Sequence, residues 1–357
     1  MTPHFRELLS EAVLRGASDL HLLTDAPPAF RINGAIEPSS RPPLDEVTLT
    51  HLLDGVLNDA QRGEWLTSKQ VCFSCQVPQL GRFRVSIYSH LGRMEAAVRV
   101  GRTRVPTIEE LGVPRGFADL AYSPYGLVLV TGPTGVGKTT TLNAILGRVN
   151  AETRKKIITI EDPVEFVMPR GRALVVQQEV GLDTPSFQAA LTHALRQDPD
   201  ILCIGEMRDL ETIATALTAA ETGHLVFGTL HTTGAAGTIS RIVDVFPPGQ
   251  QAYVRVQLSH VLRATFSQRL LPRANGKGQA MVYELMFVND AVRNTIREGR
   301  THQLRTVMQT GGSQGMVQSD DMIRDLWLAG EIDYDTAHSA VNDPQILQQA
   351  RRAAPPD

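Results

Sequence analysis

The chain has 357 residues, of which 42% are hydrophobic, so it is long enough for two or three domains that each bury a core. Its 35 Lys+Arg nearly balance its 38 Asp+Glu, which leaves a net charge of −3. This balance argues against a nucleic-acid binder that relies on a global basic field, and we expect no nucleic-acid partner.

The cysteine count does not indicate an extracellular protein, and the apolar runs do not indicate a membrane protein. Three cysteines are too few for a disulfide framework and fit a reducing compartment. Cys72 and Cys75 form a C-x-x-C, but the run Val71–Val77 alternates as a strand does, and a zinc site needs more ligands. No apolar run reaches the roughly 18 residues that span a bilayer, and the first residues lack a signal-peptide pattern. We therefore expect a soluble, cytoplasmic protein.

The first hundred residues predict a small α+β unit. Apolar residues at helical spacing predict a helix over residues 5–16, which ends at Gly16. Strands are predicted over 18–23 and 29–32, and Asn33-Gly34 predicts a hairpin turn after them. A second helix is predicted over about 45–57, and further strands over 70–77, 81–88 and 94–100.

The strand Arg82–Tyr88 alternates strictly, with Phe83, Val85 and Ile87 on one face. Arg82 and Arg84 therefore share the other face. Two arginines on one strand face usually mean a solvated face, and a functional use of the pair is the alternative.

Residues 101–124 are rich in Gly, Pro and Arg and predict a linker with one short helix near Ile108–Leu111. After it, apolar strands alternate with helices, which is typical of a mostly parallel sheet covered on both faces. The predicted strands are 127–131, 157–160, 174–177, 201–204 and 225–230. Helices are predicted from Phe187 and from Asp209 to Gly223.

A phosphate-binding loop stands between the first of these strands and the next helix. The stretch 132–139 has the form G-x-x-x-x-G-K-[ST], in the strand-loop-helix setting that the motif requires. Glycines let consecutive N–H groups face one phosphate chain, and the helix adds the positive end of its dipole. Lys138 is expected to reach the β/γ-phosphates and Thr139 to hold Mg²⁺. The expected ATP-binding residues are Gly132, Pro133, Thr134, Gly135, Val136, Gly137, Lys138, Thr139 and Thr140.

Three later stretches deliver polar groups at strand ends, where ligands bind in parallel sheets. The strand 157–160 runs out into Glu161, Asp162 and Glu165. The stretch 200–206 has the form of a Walker-B strand that ends in the carboxylate Glu206. A third apolar strand carries His224 at one end and His231 at the other.

Beyond residue 232 most segments predict helices, with one strand over 280–285. The helices are expected over 236–245, 249–268, 290–298, 302–309, 320–329 and 334–341. The expected domains are 1–100, a linker 101–124, an ATPase core 125–285, a helical region 286–345 and a disordered tail 346–357.

Four motifs in this order resemble those of the type II/IV secretion ATPases, and best match the PilT retraction-motor branch. They are GPTGVGKTTT (Walker A), ITIEDPVEF (Asp box), ALRQDPDILCIGEMRDLETI (Walker B) and TAAETGHLVFGTLHT (His box). The resemblance extends to ASDLHLLTDAPPAFRING near the start and to AVRNTIREG and VMQTGGSQGM near the end. Within AVRNTIREG, Thr295 stands where the branch usually has an apolar residue. The resemblance implies an α/β fold with a RecA-like P-loop ATPase domain, a smaller α+β (PAS-like) amino-terminal domain and a helical carboxy-terminal region.

The resemblance also implies roles for the matching residues and a set of partners. Glu165 would be the catalytic base, Glu206 the carboxylate on the Mg²⁺ side, and His224 and His231 would complete the site. Such motors are homo-hexamers, and Arg82, Arg84 and Arg99 match arginines that reach a neighbour's nucleotide in trans. The implied partners are ATP, Mg²⁺ and an inner-membrane pilus platform protein, with a paralogous ATPase as a further possibility, at the inner face of the cytoplasmic membrane without insertion.

Pilus retraction by ATP hydrolysis is the leading interpretation, and three alternatives stay open. One is a related secretion or pilus-accessory ATPase, of the Dot/Icm or extension type. A second is a coupling subunit that binds ATP and hydrolyses it weakly, which the intact Glu165 and Glu206 argue against. The third is a RecA-like DNA translocase, which the net charge disfavours.

Overall fold

The protein, described here as a computed structural model, divides into two compact units. The structure describes residues 2–32, 34–101 and 104–353, without the side chains of residues 352 and 353. The first unit comprises Met1–Val105 with Pro163–Val167, and the second comprises Pro106–Asp162 with Met168–Asp357.

Within the described residues, the first unit is a six-stranded antiparallel sheet with three helices. Its strand order is β3-β2-β1-β6-β5-β4. The helices are α1 (Pro3–Leu14), α2 (Glu46–Asp54) and α3 (Asp59–Ser68), and the strands are β1 (Asp19–Leu22), β2 (Ala29–Ile32), β3 (Ala35–Pro38), β4 (Gln70–Val77), β5 (Gly81–His90) and β6 (Arg93–Val100). The α+β prediction is confirmed, but α3 was not foreseen, since it buries no side chain and its apolar residues are few. The predicted turn residue Asn33 lies outside the described residues.

The strand alternation predicted for this unit is confirmed by burial. Phe83, Val85 and Ile87 of β5 are buried in one core with Phe5 and Leu8 of helix α1. In β4, Cys75 packs against this core and Cys72 is exposed, because residues three apart on a strand face opposite sides. The two thiols therefore do not face each other.

In the part of the chain that the structure describes, the second unit is built on a seven-stranded sheet in the order β13-β12-β7-β11-β10-β8-β9. All neighbouring strands are parallel except β12 and β13, and β7, which precedes the phosphate loop, is flanked by β11 and β12. The strands are β7 (Gly126–Thr131), β8 (Lys156–Glu161), β9 (Leu174–Glu179), β10 (Ile201–Ile204), β11 (Leu225–Leu230), β12 (Leu262–Pro272) and β13 (Gln279–Phe287). The α/β fold with a parallel sheet is confirmed.

The helices that cover this sheet are α4 (Arg115–Ala118), α5 (Lys138–Glu152), α6 (Phe187–Ala194), α7 (Leu210–Glu221), α8 (Ala235–Asp244) and α9 (Pro248–Val261). The short helix predicted at Ile108–Leu111 is wrong. That stretch is a hydrogen-bonded turn, in which Thr107 and Glu110 each accept a hydrogen bond from the other's backbone N–H, and the helix begins at Arg115.

The helix predicted over 249–268 is wrong in its second half. Helix α9 ends at Val261, and β12 starts at the next residue. The buried residues Leu258, Leu262 and Phe266 recur every four positions, as on a helix face, while Leu262, Ala264 and Phe266 also alternate as on a strand. Pairing with β7 on one side and β13 on the other decides between the two patterns.

The carboxy-terminal region is helical, as predicted. Its helices are α10 (Asp290–Arg297), α11 (Leu304–Thr310), α12 (Ser319–Leu328), α13 (Tyr334–Ala340) and α14 (Gln345–Ala353). The prediction of a disordered tail is wrong for residues 346–353, because α14 packs Leu347 into a small core with Ile323 and Ile332. Residues 354–357 lie outside the described residues. None of the helices in the described part of the chain is both long and apolar enough for a bilayer crossing.

Candidate nucleotide site

The phosphate loop is shaped by glycines between the end of β7 and the start of α5. Gly132, Gly135 and Gly137 have φ angles of 138°, 83° and 89°, a region that side chains with a Cβ rarely adopt. Gly137 is the N-cap of α5 and provides no side chain to bond the first N–H groups of the helix. Those N–H groups are therefore available to an anion at the positive end of the helix dipole.

Lys138 lies inside the loop rather than in solvent. Its side chain is buried, and Nζ donates hydrogen bonds to the carbonyls of Gly132 and Pro133 at 2.7 and 2.9 Å. Burial lowers the pKa of this ammonium from its ordinary value, and the charge of Glu206 acts in the opposite direction. The loop thus holds one cation at its centre, where a phosphate chain would bind.

Glu206 and His231 reach the same place from the ends of β10 and β11. Nε2 of His231 lies 2.6 Å from Oε1 of Glu206, and Nδ1 lies 3.4 Å from Lys138 Nζ. A neutral imidazole protonated on Nε2 accepts from Lys138 and donates to Glu206, which satisfies both contacts. Loop lysine, histidine and Walker-B carboxylate therefore form one hydrogen-bonded chain.

Glu206 is held in its ionised form. Burial opposes ionisation, but hydrogen bonds from Arg208 and His231, together with the charge of Arg208, outweigh it, so the pKa of the carboxyl lies below its ordinary value. Thr139 follows Lys138 in the first turn of α5 and is partly buried. A hydroxyl and a carboxylate are the oxygen donors that Mg²⁺ prefers, and this ion keeps several waters of its own.

His224 does not join this chain. It precedes β11, at the amino end of the strand, and its Nδ1 lies 3.1 Å from the carbonyl oxygen of Ala219 and 3.4 Å from the hydroxyl of Thr222. Because β7, β11 and β10 are parallel, the loop lies at their carboxyl ends, with His231. Within a subunit His224 therefore does not lie beside His231 and the phosphate loop, and its role at the site stays a prediction from the family.

Of the acidic residues at the carboxyl end of β8, Glu161 and Asp162 belong to the second unit. Glu161 is buried and accepts hydrogen bonds from the Thr159 hydroxyl at 2.6 Å and from the Gln177 amide at 3.1 Å. Asp162 is exposed and lines a cleft of about 400 Å³ that also contains Glu206 and Arg208. Asp162 therefore lines the same cleft as the Walker-B carboxylate. Glu161 is instead held by hydrogen bonds to neighbouring side chains, as a structural residue is.

Residues 1–326 match the model of the type II/IV secretion system protein family. The chain belongs to this family. It is 45% identical over 339 residues to the "Type IV pilus retractation ATPase PilT" of Pseudomonas aeruginosa, which covers 95% of this chain and 98% of the relative. It is 46% identical over 321 residues to the "Twitching motility protein" of Neisseria gonorrhoeae, covering 90% and 86%.

Solved structures of the family show the same relationship. The crystal structure of the pilus retraction motor PilT with bound ADP superposes with a TM-score of 0.90 at 44% identity, over 96% of this chain and 98% of that one. The Legionella pneumophila ATPase DotB superposes at 0.80 with 26% identity, over 95% of each chain. The interpretation of the four motifs as those of a PilT-type P-loop ATPase is confirmed.

The remaining residues that the family resemblance assigned lie in the first unit. Glu165 is exposed in the segment Pro163–Val167. Arg84 and Arg99 are direct cross-strand partners on β5 and β6, and Arg82 lies two residues along on the same face. Arg99 Nε donates to Asp19 at 3.1 Å, and Arg84 Nε lies 3.3 Å from Cys72 Sγ. The roles of Glu165 and of the arginines stay predictions from the family.

Thr295, the departure from the family signature, fits a buried helical position. It lies on the inner face of α10 between Val292 and Ile296, and it is 7% exposed. Its hydroxyl donates to the carbonyl of Ala291 at 2.8 Å, one turn earlier. A threonine can replace an apolar residue here because its polar atom is bonded within its own helix.

Two residues near the loop, Arg208 and Gln268, are not among those that the sequence motifs indicate. Arg208 forms an ion pair with Glu206, and its position two residues after the Walker-B carboxylate was the available signal. Gln268 contacts the loop from β12 and was missed because its segment was predicted as a helix.

Proposed function

We propose that the chain is a hexameric ATPase motor that hydrolyses ATP to retract type IV pili by pilin disassembly. The observation that carries this proposal is the hydrogen-bonded chain Lys138–His231–Glu206 at the phosphate loop. It joins the phosphate-binding cation to the metal-side carboxylate through the His-box residue. The near full-length similarity to named retraction ATPases supports the direction of the motor.

In this proposal the loop N–H groups and Lys138 bind the phosphates, and Thr139 and Glu206 hold Mg²⁺. The ionised state of Glu206 supports its role as a metal ligand. Magnesium would neutralise charge on the β- and γ-phosphates, and Glu165 would accept the proton of the attacking water. His231 would orient Glu206 through Nε2 and would link it to the loop lysine through Nδ1.

The arginines would complete the site of the next subunit in the ring. Arg84 and Arg99 lie directly opposite each other on neighbouring strands. Like charges in this position lower the stability of a sheet. Arg99 is 73% exposed in its side chain, so it is accessible to a partner. An arginine that enters a neighbouring site would neutralise charge in the transition state.

The proposed setting is the inner face of the cytoplasmic membrane, where the ring would act on a pilus platform protein without inserting into the bilayer. A paralogous ATPase is a further proposed partner. A Dot/Icm-type function is the second candidate, which the fold similarity to DotB favours, but the higher identity to PilT places retraction first.

The test is steady-state ATP hydrolysis by the purified chain with Mg²⁺ and with an excess of chelator. We expect turnover that requires Mg²⁺, since the metal supplies several kcal/mol of charge stabilisation. ATP that is bound but not hydrolysed in the presence of Mg²⁺ would instead favour the coupling-subunit alternative.

A further inference from the structure

Gln268 lies directly beneath the phosphate loop and is 1% exposed. Its side-chain Nε2 donates a hydrogen bond to the carbonyl of Val136 at 2.6 Å. Its Oε1 accepts from the hydroxyl of Thr141 at 2.8 Å. Both halves of the amide are therefore engaged, one with the loop and one with the first turns of α5, which fixes the orientation of the amide.

The bond to Val136 determines where the next N–H group points. The peptide unit between Val136 and Gly137 is planar and trans, so the N–H of Gly137 points opposite to the carbonyl that Gln268 holds. Gly137 adopts a φ of 89°, which turns the following N–H groups of α5 in the manner of an anion-binding nest. Gln268 thus orients a phosphate-binding donor without touching the phosphate itself.

The backbone of the same residue contacts the start of the loop. A Cβ built on Gly132 would lie 2.2 Å from the carbonyl oxygen of Gln268, closer than any side chain allows. Gly132 is therefore required by the approach of β12 as well as by its own φ of 138°. One residue of β12 supports the loop at both its first and its last glycine.

We infer that Gln268 is a positioning residue of the phosphate loop, which sets nucleotide affinity by holding the Val136–Gly137 peptide in its binding orientation. This inference rests on the proposed ATP site. A side chain that fills the same space without the donor leaves the Val136 carbonyl buried and unpaired, and the loop then gains freedom to rotate this peptide.

The test is ADP affinity by calorimetry for the full chain and three variants, each checked for folding by thermal unfolding without nucleotide. Gln268→Leu is expected to weaken ADP binding about tenfold, the scale of a lost hydrogen bond in a buried network. Thr265→Val is the matched control on the same strand, because Thr265 is buried and its hydroxyl has no hydrogen-bond partner among the described residues. Its affinity should stay within about twofold of the wild type.

The third variant, Gln268→Glu, separates positioning from packing. An ionised carboxylate can accept from Thr141 but cannot donate to Val136, whereas the protonated acid can do both. The ADP affinity of Gln268→Glu should therefore approach that of the wild type as the pH falls. The ADP affinity of Gln268→Leu, compared with the wild type at the same pH, should not change with pH. A purely structural role would not produce this difference.

Three outcomes decide the inference. If the wild type fails to bind ADP, the proposed function itself is wrong. If the wild type binds and a folded Gln268→Leu binds equally well, only the role of Gln268 is overturned. Should Gln268→Leu fail to fold, the similarly sized Gln268→Glu carries the test, and an ADP affinity equal to that of the wild type at every pH would likewise overturn the role.

Discussion

Lys138 is the residue on which the proposed nucleotide binding should depend most directly. It is the cation held within the loop by two backbone carbonyls, and removing it leaves the N–H cradle in place. We predict that Lys138→Ala abolishes ATP binding in a calorimetric titration, because a charge-assisted contact with the phosphates is lost. Lys277→Ala, which changes an exposed lysine in the loop between β12 and β13, is the control and should bind normally. Undiminished affinity of Lys138→Ala would remove the phosphate-loop assignment.

The family resemblance assigns Glu165 the role of the base that accepts a proton from the attacking water. We predict that Glu165→Gln keeps ATP binding and loses turnover, because the amide can still hydrogen-bond the water but cannot accept its proton. The measurement pairs ATP affinity with steady-state hydrolysis, and Glu64→Gln on the exposed face of α3 provides the control. Hydrolysis at the parent rate in Glu165→Gln would show that another group is the base.

At the level of single residues, the structure brings together the loop, Glu206 and His231, which the sequence predicted at one edge of the sheet because each follows a parallel strand within a strong local motif. His224 was assigned to the same site although it precedes its strand. Strand direction alone separates the two histidines, since only the carboxyl end of β11 meets the loop. Gln268 could not be predicted, because its contact depends on the register of β12 against β7.

Strand β13 and helix α8 meet at a partly buried carboxylate. Oε1 of Glu284 accepts a hydrogen bond from the N–H of Ala235 at 2.7 Å, which satisfies the start of α8, a helix without a side-chain cap. Burial raises the pKa of this carboxyl above its ordinary value of 4.5, and the charge of Asp320 raises it further. The folded protein therefore binds this proton more tightly than the unfolded chain.

The raised pKa sets the sign of a pH effect on stability. The contribution of Glu284 is most favourable below pH 4.5 and is lost as the pH rises through its folded-state value. Glu284→Gln keeps an acceptor for Ala235 and removes the titration. We predict that the wild type gains stability relative to Glu284→Gln as the pH is lowered toward 4.5, as measured by urea unfolding. A difference that does not change with pH would contradict the raised pKa.

Among the elements, those predicted correctly have a strong pattern or a motif at their ends. The parallel strands β7, β8, β10 and β11 are mostly apolar runs, and their positions were predicted within a few residues. Helix α3 was missed because it buries no side chain, and its capping box of Asn58 and Gln61 was the only signal. Strand β12 and helix α14 were missed because pairing and packing with distant residues form them, and local patterns do not report such contacts.

On the scale of the assembly, the proposal requires that no isolated subunit holds a complete site. Activity should then rise with protein concentration as the ring forms. The variant Arg82→Ala/Arg84→Ala/Arg99→Ala and the variant Glu165→Gln should each be inactive, since removing an arginine finger typically costs about 10³-fold or more in turnover. We predict that mixing the two restores hydrolysis at interfaces that combine a wild-type carboxylate with wild-type arginines.

The control is each variant incubated alone at the total concentration of the mixture. Restored hydrolysis in the mixture and not in these controls would establish that the arginines act in trans. If the mixture stays inactive although mass measurement shows mixed hexamers, the arginines do not act in trans. They would then be the charged residues of a solvated sheet face.

Retraction in cells tests the motor assignment most directly. In the source organism, with the chromosomal copy deleted, the account predicts that cells keep surface pili but do not retract them, as followed by fluorescence imaging of labelled filaments. The wild-type chain should restore retraction, and Lys138→Ala, produced at the same level, should not. Retraction restored equally by Lys138→Ala, or a deletion that removes pili instead of leaving them extended, would contradict the account.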